Sequence, residues 1–350
     1  MVSYLKKKNK WIVSISFLII FLVVSIAVFV TIGSASITVL DTVKIIISKI
    51  PVLKNLVDIN DLPRSSAVIV LNIRIPRVLL GVLVGAALST VGAAFQGMFK
   101  NPMADPYVIG ISSGAALGAT LAIIGNVSFL ILGISETSLG AFIGAITSTF
   151  VVYMISRVKN KIPVTVLLLS GIAIGQFFTA IMSFIMVIHS NDLDKIIYWT
   201  LGSFSGKGWD QLISVAVPII ISIVVLNFFA RDLNAMLTGE ETAQNLGIEV
   251  EKVKLIILII GAFLTAMAVS VSGIIGFVGL IIPHIVRLIV GSDHRILMPA
   301  SAMVGGIFMI FADTLARTMI SPTEIPVGII TAMFGGPFFI YLLRKKRKSI

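Results

Sequence analysis

Few side chains in this sequence could carry bond chemistry. There are three histidines and no cysteine. His189, His284 and His294 lie far apart without ligand spacing, so the pattern predicts no metal site. The lack of Cys excludes disulfides and thiolate ligands, and nothing calls for a cofactor. Gly202-Ser-Phe-Ser-Gly206-Lys207-Gly208 imitates a phosphate loop. A Walker A loop needs four residues between its glycines and a Ser or Thr after the Lys. Here three stand between and a Gly follows, so any ATP must be bound by another chain. Asp313 and Arg317, four apart, suit a helical ion pair that seats a helix end. A proton relay is the alternative, but no second carboxylate is in view for it. Pro283 can kink a helix, and the adjacent His284 either lines a pathway or is a polar group satisfied between helices. Finally, Thr238 or Gly239 can start a short helix, Glu240 and Glu241 favour its first turn, and Gly247 suits its end. A solvated connector is the plainer reading of that segment.

The elements that hold these residues are membrane spans. The chain has 350 residues, of which 57% are hydrophobic and 12% charged, with mean hydropathy +1.08. A soluble domain carries roughly 25% charged residues, so most of this chain faces lipid. A span needs about 20 apolar residues. Ten stretches qualify, near 11–32, 76–98, 108–132, 137–156, 163–188, 211–230, 253–271, 274–290, 297–316 and 325–343. The first is longer than a cleaved signal's apolar region and reads as a retained anchor span, 1–32. Residues 33–75 form a mixed outer segment, 76–343 a helical bundle and 344–350 a basic tail, all within one transmembrane domain.

The net charge of +11 gathers at the ends, at Lys6, Lys7, Lys8 and Lys10 and again from Arg344 to Lys348. No aromatic-basic interleaving accompanies it, so the charge points to a bilayer and not to nucleic acid. With both termini inside, 18 Lys and Arg fall inside and 9 outside. That bias fits the positive-inside rule. Small residues recur four apart at Gly81/Gly85, Gly110/Gly114/Gly118, Gly140/Gly144 and Gly171/Gly175, which lets helix backbones pack closely.

Taken in order, several stretches resemble the FecCD family of importer permeases. They are Arg74-Ile-Pro-Arg77, Gly85-Ala-Ala-Leu88, Gln96-Gly97, Asn101-Pro-Met-Ala-Asp105-Pro106, Gly110-Ile-Ser-Ser-Gly114-Ala115 and Leu167-Leu-Leu-Ser-Gly171. After the Gly239–Gly247 segment come Gly276-Phe-Val-Gly-Leu-Ile-Ile-Pro-His284 with Arg287, Asp293-His-Arg295, Ala312-Asp-Thr-Leu-Ala-Arg317 and Glu324-Ile-Pro-Val-Gly328. Each motif alone is weak, whereas the ordered set is specific.

The resemblance implies an all-α permease of ten spans that works as a homodimer in a bacterial or archaeal plasma membrane, with both termini cytoplasmic. It implies two ATP-binding-cassette ATPases on the cytoplasmic side and an extracytoplasmic substrate-binding protein. The permease itself would not be an enzyme. Its cargo would be an iron chelate such as a ferric siderophore, with haem or vitamin B12 as alternatives. By the same resemblance, Gly239, Glu240, Glu241, Ala243, Leu246 and Gly247 belong to a coupling helix that docks on the ATPase. Asn101, Met103 and, more loosely, Thr165 match a cytoplasmic gate. Arg74, Arg77 and Arg317 match arginines that receive the binding protein at the outer face. A secondary transporter driven by an ion gradient is the rival class, but it would show more intramembrane carboxylates or broken midplane helices.

Overall fold

The computed structural model describes residues 2–49, 62–125, 130–131, 134–159 and 161–347. Residues 50–61 of the expected outer segment, part of the third expected span's end and residues 348–350 of the tail lie outside the described residues. The helices in chain order are α1 Val2–Thr31, α2 Val39–Ser48, α3 Arg64–Val68, α4 Ile75–Met98, α5 Ile111–Gly125, α6 Glu136–Ser156, α7 Val164–Ile188 and α8 Leu193–Thr200. They continue with α9 Trp209–Phe228, α10 Ala230–Leu237, α11 Glu240–Asn245, α12 Val250–Ser272, α13 Val278–Val290, α14 His294–Thr318 and α15 Val327–Arg347. Each of the ten expected spans has a helix. Seven are long and apolar enough to cross a membrane, and Ile111–Gly125, Val278–Val290 and Val327–Leu342 are shorter apolar helices. The only strands among the described residues are Leu130–Ile131 and Ile134–Ser135, a minimal antiparallel ladder before α6.

The bundle is organised around α4, which is apolar on all sides and buried along most of its length, as expected for a helix in the centre of a membrane protein. It packs on α14, α12, α13 and α9. Glycine permits the closest approaches. A Cβ at Gly85 would collide with the Gly305 carbonyl of α14, and one at Gly92 with the Gly279 carbonyl of α13. Gly114 and Gly118 of α5 meet Gly144 and Gly140 of α6 in the same way. The small-residue series therefore serve intramolecular packing. By contrast, α1 and α7 turn much apolar surface outward, including Phe17, Ile20, Phe177, Phe184 and Val187, as lipid-facing helices do.

The second span begins earlier than the hydropathy suggests. Helix runs without interruption from Arg64 to Met98, passing through a π-helical turn at Ile69–Arg74. Pro76 lacks an N–H, so the backbone just upstream cannot complete its normal ladder. The Leu71 carbonyl accepts the Trp209 indole N–H at 2.9 Å, which satisfies one of the freed acceptors. Part of the segment expected to be mixed, 33–75, is thus helical, as α2, α3 and the head of α4.

Candidate functional site

The 24 residues of α4 rise about 36 Å and separate two ends of the bundle. Arg77 lies at its start and Gln96 near its finish. The expected docking arginines gather at the first end, and the expected gate and coupling residues at the second.

At the arginine end all three guanidinium groups point inward. Arg74, Arg77 and Arg317 are 3%, 5% and 4% exposed. The last turn of α1 leaves carbonyls without intrahelical partners, and cations are favoured there. Arg74 donates to the carbonyls of Thr31 at 2.9 Å and Ala35 at 2.6 Å. Arg317 donates to the Phe29 carbonyl at 2.8 Å and to Thr314 Oγ1 at 3.0 Å. Two arginines from other helices thus cap α1. Arg77 is a brace between α14 and the loop before α15. It bonds Asp313 through Nε at 3.0 Å and Nη2 at 2.9 Å, and Glu324 through Nη1 at 2.9 Å.

The contacts at this end bear on two expectations. The arginine forks are engaged by the chain's own carbonyls and carboxylates. Asp313 does pair with Arg317, but at 3.8 Å and without a hydrogen bond from Arg317 Nε. Its main partner is Arg77, far away in sequence. The Gly202–Gly208 loop lies at this end too, with Phe204 fully buried and Ser203 N donating to the Ser272 carbonyl at 2.7 Å.

At the other end, α10 and α11 form a knuckle between α9 and α12. Gly239, at φ 137°, starts α11, and Gly247, at φ 85°, follows it, so both glycines occupy conformations that favour them. The helix therefore has the expected bounds. Its two faces differ in exposure. Ala243 is 0% exposed and packs inside the chain. Glu241, Thr242, Gln244, Asn245 and Gly247 are exposed. Leu246 is 69% exposed, an apolar side chain presented to the outside.

An ionic strut that sequence reasoning missed ties α11 to the bundle. Lys254, on the first turns of α12, has a side chain only 6% exposed. Its Nζ is 2.8 Å from Glu240 Oε2 of α11 and 3.1 Å from Glu251 Oε1. Glu251 Oε2 in turn accepts the backbone N–H of Ile162 at 2.8 Å. Ile162 lies in the connection leading to α7, three residues before Thr165. The Glu251/Lys254 spacing is readable as a helical pair, whereas the reach to Glu240 and Ile162 is not.

The two expected gate segments approach each other beside this strut. Met98, Phe99, Ile162, Val164, Leu167 and Leu258 line one small cavity together with Lys254. Asn101, two residues after Phe99, is exposed, and its Oδ1 accepts the Met103 N–H at 3.0 Å. Met103 is half-buried and Thr165 exposed. Asp105 caps the turn Pro106–Ile109 by accepting the Tyr107 N–H at 2.8 Å. Burial pushes its carboxyl up to about 6, against the Tyr107 N–H that stabilises the charged form. The Tyr107 hydroxyl, itself pushed up by burial, donates to the Ile275 carbonyl at 3.1 Å.

Comparison with known proteins gives this arrangement a context. Residues 17–345 match the FecCD transport family. The cobalamin import system permease of Halobacterium salinarum is 45% identical over 284 residues, covering 81% of this chain and 75% of that protein. The hemin transport system permease of Yersinia pestis is 41% identical over 282 residues, covering 80% and 84%. An Fe(3+)-citrate import system permease of Bacillus subtilis is 38% identical, covering 80% and 82%. Among solved structures, one described as an inward-facing conformation of a metal-chelate type ABC transporter aligns with TM-score 0.80 at 29% identity, over 95% of this chain and 98% of that one.

Proposed function

Since the chain belongs to the FecCD transport family, we propose that it is the membrane permease of an ATP-driven importer of iron chelates, working as a homodimer with two ATPase subunits and an outer binding protein. It is a transport subunit and not an enzyme, in keeping with relatives that are named permeases. The observation that carries the ATP-driven reading is α11. It is a short helix with exposed Leu246 and buried Ala243, fastened through Lys254 to the connection that precedes α7. Such an element can receive a push from a cytoplasmic partner and pass it to the gate segments. With α11 inside, α1 starts inside, and its arginine-capped end lies outside. There the binding protein would meet the loops that Arg74, Arg77 and Arg317 brace from within. A rigid brace suits a receiving surface as well as direct contact does.

Iron chelate is the proposed cargo because several relatives carry hemin, Fe(3+)-citrate or iron(3+)-hydroxamate in their names. Cobalamin is the second reading, favoured by the 45% identity to a cobalamin import permease. The test is reconstitution with the cognate ATPase and binding protein in liposomes. Uptake of a ferric siderophore or haem that depends on ATP and on the binding protein is expected. Cobalamin uptake in place of both would establish the second reading. Uptake driven by an ion gradient without ATPase would overturn the proposal altogether.

A further inference from the structure

Between α12 and α13 the backbone is broken inside the bundle. Helix α12 stops at Ser272, and residues 273–277 are not helical before α13 begins at Val278. Gly273 at φ 69° opens the break and Phe277 at φ 70° closes it. A Cβ at Gly279 would meet the Pro106 ring and the Leu88 carbonyl, and Leu88 is midway along α4. The break and the connection 99–110 that leads to α5 therefore meet near the middle of the bundle. Ile275, within the break, is 0% exposed. Both of its backbone groups need partners from the chain itself.

One side chain meets both needs. The Tyr107 hydroxyl donates to the Ile275 carbonyl at 3.1 Å and accepts the Ile275 N–H at 3.3 Å. A hydroxyl can give and take at once. No other hydrogen bond reaches either group among the described residues. A second tie lies close by. Gln96, 2% exposed, donates through Nε2 to the Leu280 carbonyl at 3.0 Å and stands 3.4 Å from the Ala104 carbonyl. Pro283 has no N–H for the Gly279 carbonyl, and the same amide nitrogen stands 3.5 Å from that oxygen. One amide thus bridges the connection to the first turn of α13.

The opposite side of the break is looser. Ile274, Gly276 and Phe277 are half-buried. A Cβ at Gly276 would meet nothing within 4 Å, and the Phe277 ring rests against Gly335 of α15. Ile274 borders a cavity of about 470 Å³ with Thr200, Leu201 and Ile329. A Phe at positive φ is strained and persists only where its surroundings fix it. An unbroken helix would satisfy these backbone groups by itself. Here they are satisfied only while the connection 99–110 stays in place, which ties the movement of one segment to that of the other.

We propose that Tyr107, supported by Gln96, is a positioning residue for transport. It latches the break at 273–277 to the connection 99–110, so that α13 and the start of α5 tilt as one body when the permease changes conformation. The use of the latch in transport rests on the ATP-driven reading above, whereas the latch itself rests on the hydrogen bonds.

The experiment uses the full chain in nanodiscs, alone and in complex with its ATPase and binding protein. Amide exchange over 99–110 and 273–280 is read by mass spectrometry. In the permease alone, Tyr107→Phe keeps the ring and removes two hydrogen bonds. Exchange at 274–276 should accelerate at least about tenfold, and 104–108 should loosen with it. Gln96→Met gives the same reading at 104 and 279–281 should Tyr107→Phe fail to fold. In the complex, ATP should change the exchange of both segments together in the parent and of only one in the variant. Cargo delivered per ATP should fall in the variant, a ratio that simple loss of folded permease leaves unchanged. Exchange that both variants leave unaltered would overturn the latch, whatever drives uptake. So would two segments that respond to ATP independently in the parent. Accelerated exchange together with uptake that needs no ATPase would uphold the latch and overturn only the ATP-driven reading.

Discussion

Replacing Lys254 by Met keeps the approximate length of this buried side chain and removes its charge. Two charge-assisted hydrogen bonds are lost, at 2.8 and 3.1 Å. Such bonds contribute about 1.5–3 kcal/mol each when sheltered. The two carboxylates are partly solvated, with Glu240 38% and Glu251 28% exposed, so water recovers part of the loss. A net cost of about 2 kcal/mol shifts the equilibrium between seated and released α11 by roughly thirtyfold. Amide hydrogen exchange across 240–247 should accelerate by a similar factor. The connection at 161–165 should follow, because Glu251 loses the cation that orients it toward Ile162. In reconstituted complexes, ATP hydrolysis should persist while chelate delivered per ATP falls. Lys254→Arg should restore most of both signals. Unchanged exchange in both segments, with unchanged cargo per ATP, would refute the idea that this strut links α11 to the gate segments.

Leu246→Asp should abolish ATPase assembly in pull-down while leaving the melting temperature of the isolated permease unchanged, because the side chain touches little of its own chain. Ala243→Arg should instead destabilise the permease itself, since a buried position must take in a charge. Arg77→Gln strips Asp313, a carboxylate 3% exposed, of its main partner, and should cost about 3–5 kcal/mol of stability, read as a lowered unfolding midpoint in detergent. An unchanged midpoint would return Arg77 to the role of a surface contact. The Asp105 carboxyl is raised from 3.8 to about 6, so the folded state holds its proton more tightly. That stabilisation is complete below about pH 4 and fades as pH rises to about 6, by at most about 3 kcal/mol. Asp105→Asn keeps the cap and should flatten that part of the stability profile.

Hydropathy alone located all ten span helices, because a bilayer rewards uninterrupted apolar length and little else. The glycines four apart were equally readable, since such spacing has few uses other than close packing of backbones. The direction in which a polar side chain points was not readable. Arg74 and Arg317 at a span end suggest an outward fork, and only the position of the α1 terminus shows that they cap its carbonyls. Asp313 has a ready partner four residues on, yet its stronger bonds reach across 236 positions to Arg77. The early helix at 64–75 escaped because its composition is mixed and Pro63 and Pro76 punctuate it. Ala243 was placed in the coupling segment by resemblance alone, and nothing in the sequence marks it as the buried face of that helix.

The two ends of the bundle differ in how their charges are held, and the difference bears on which end can move. At the arginine end, three guanidinium groups bond to backbone carbonyls and to two carboxylates, and nearly all of these contacts are sheltered from water. Releasing any one of them would leave a buried charge unpaired, so this end resists local rearrangement. At the α11 end, the ionic strut has partly solvated acids and the helix it holds is six residues long. Both can be exchanged for water or for a partner's groups at modest cost. Motion imposed at this end would therefore be taken up near α10, α11 and the segments beside them. The span ends braced by Arg74, Arg77 and Arg317 would act as the fixed point about which α4 and its neighbours tilt.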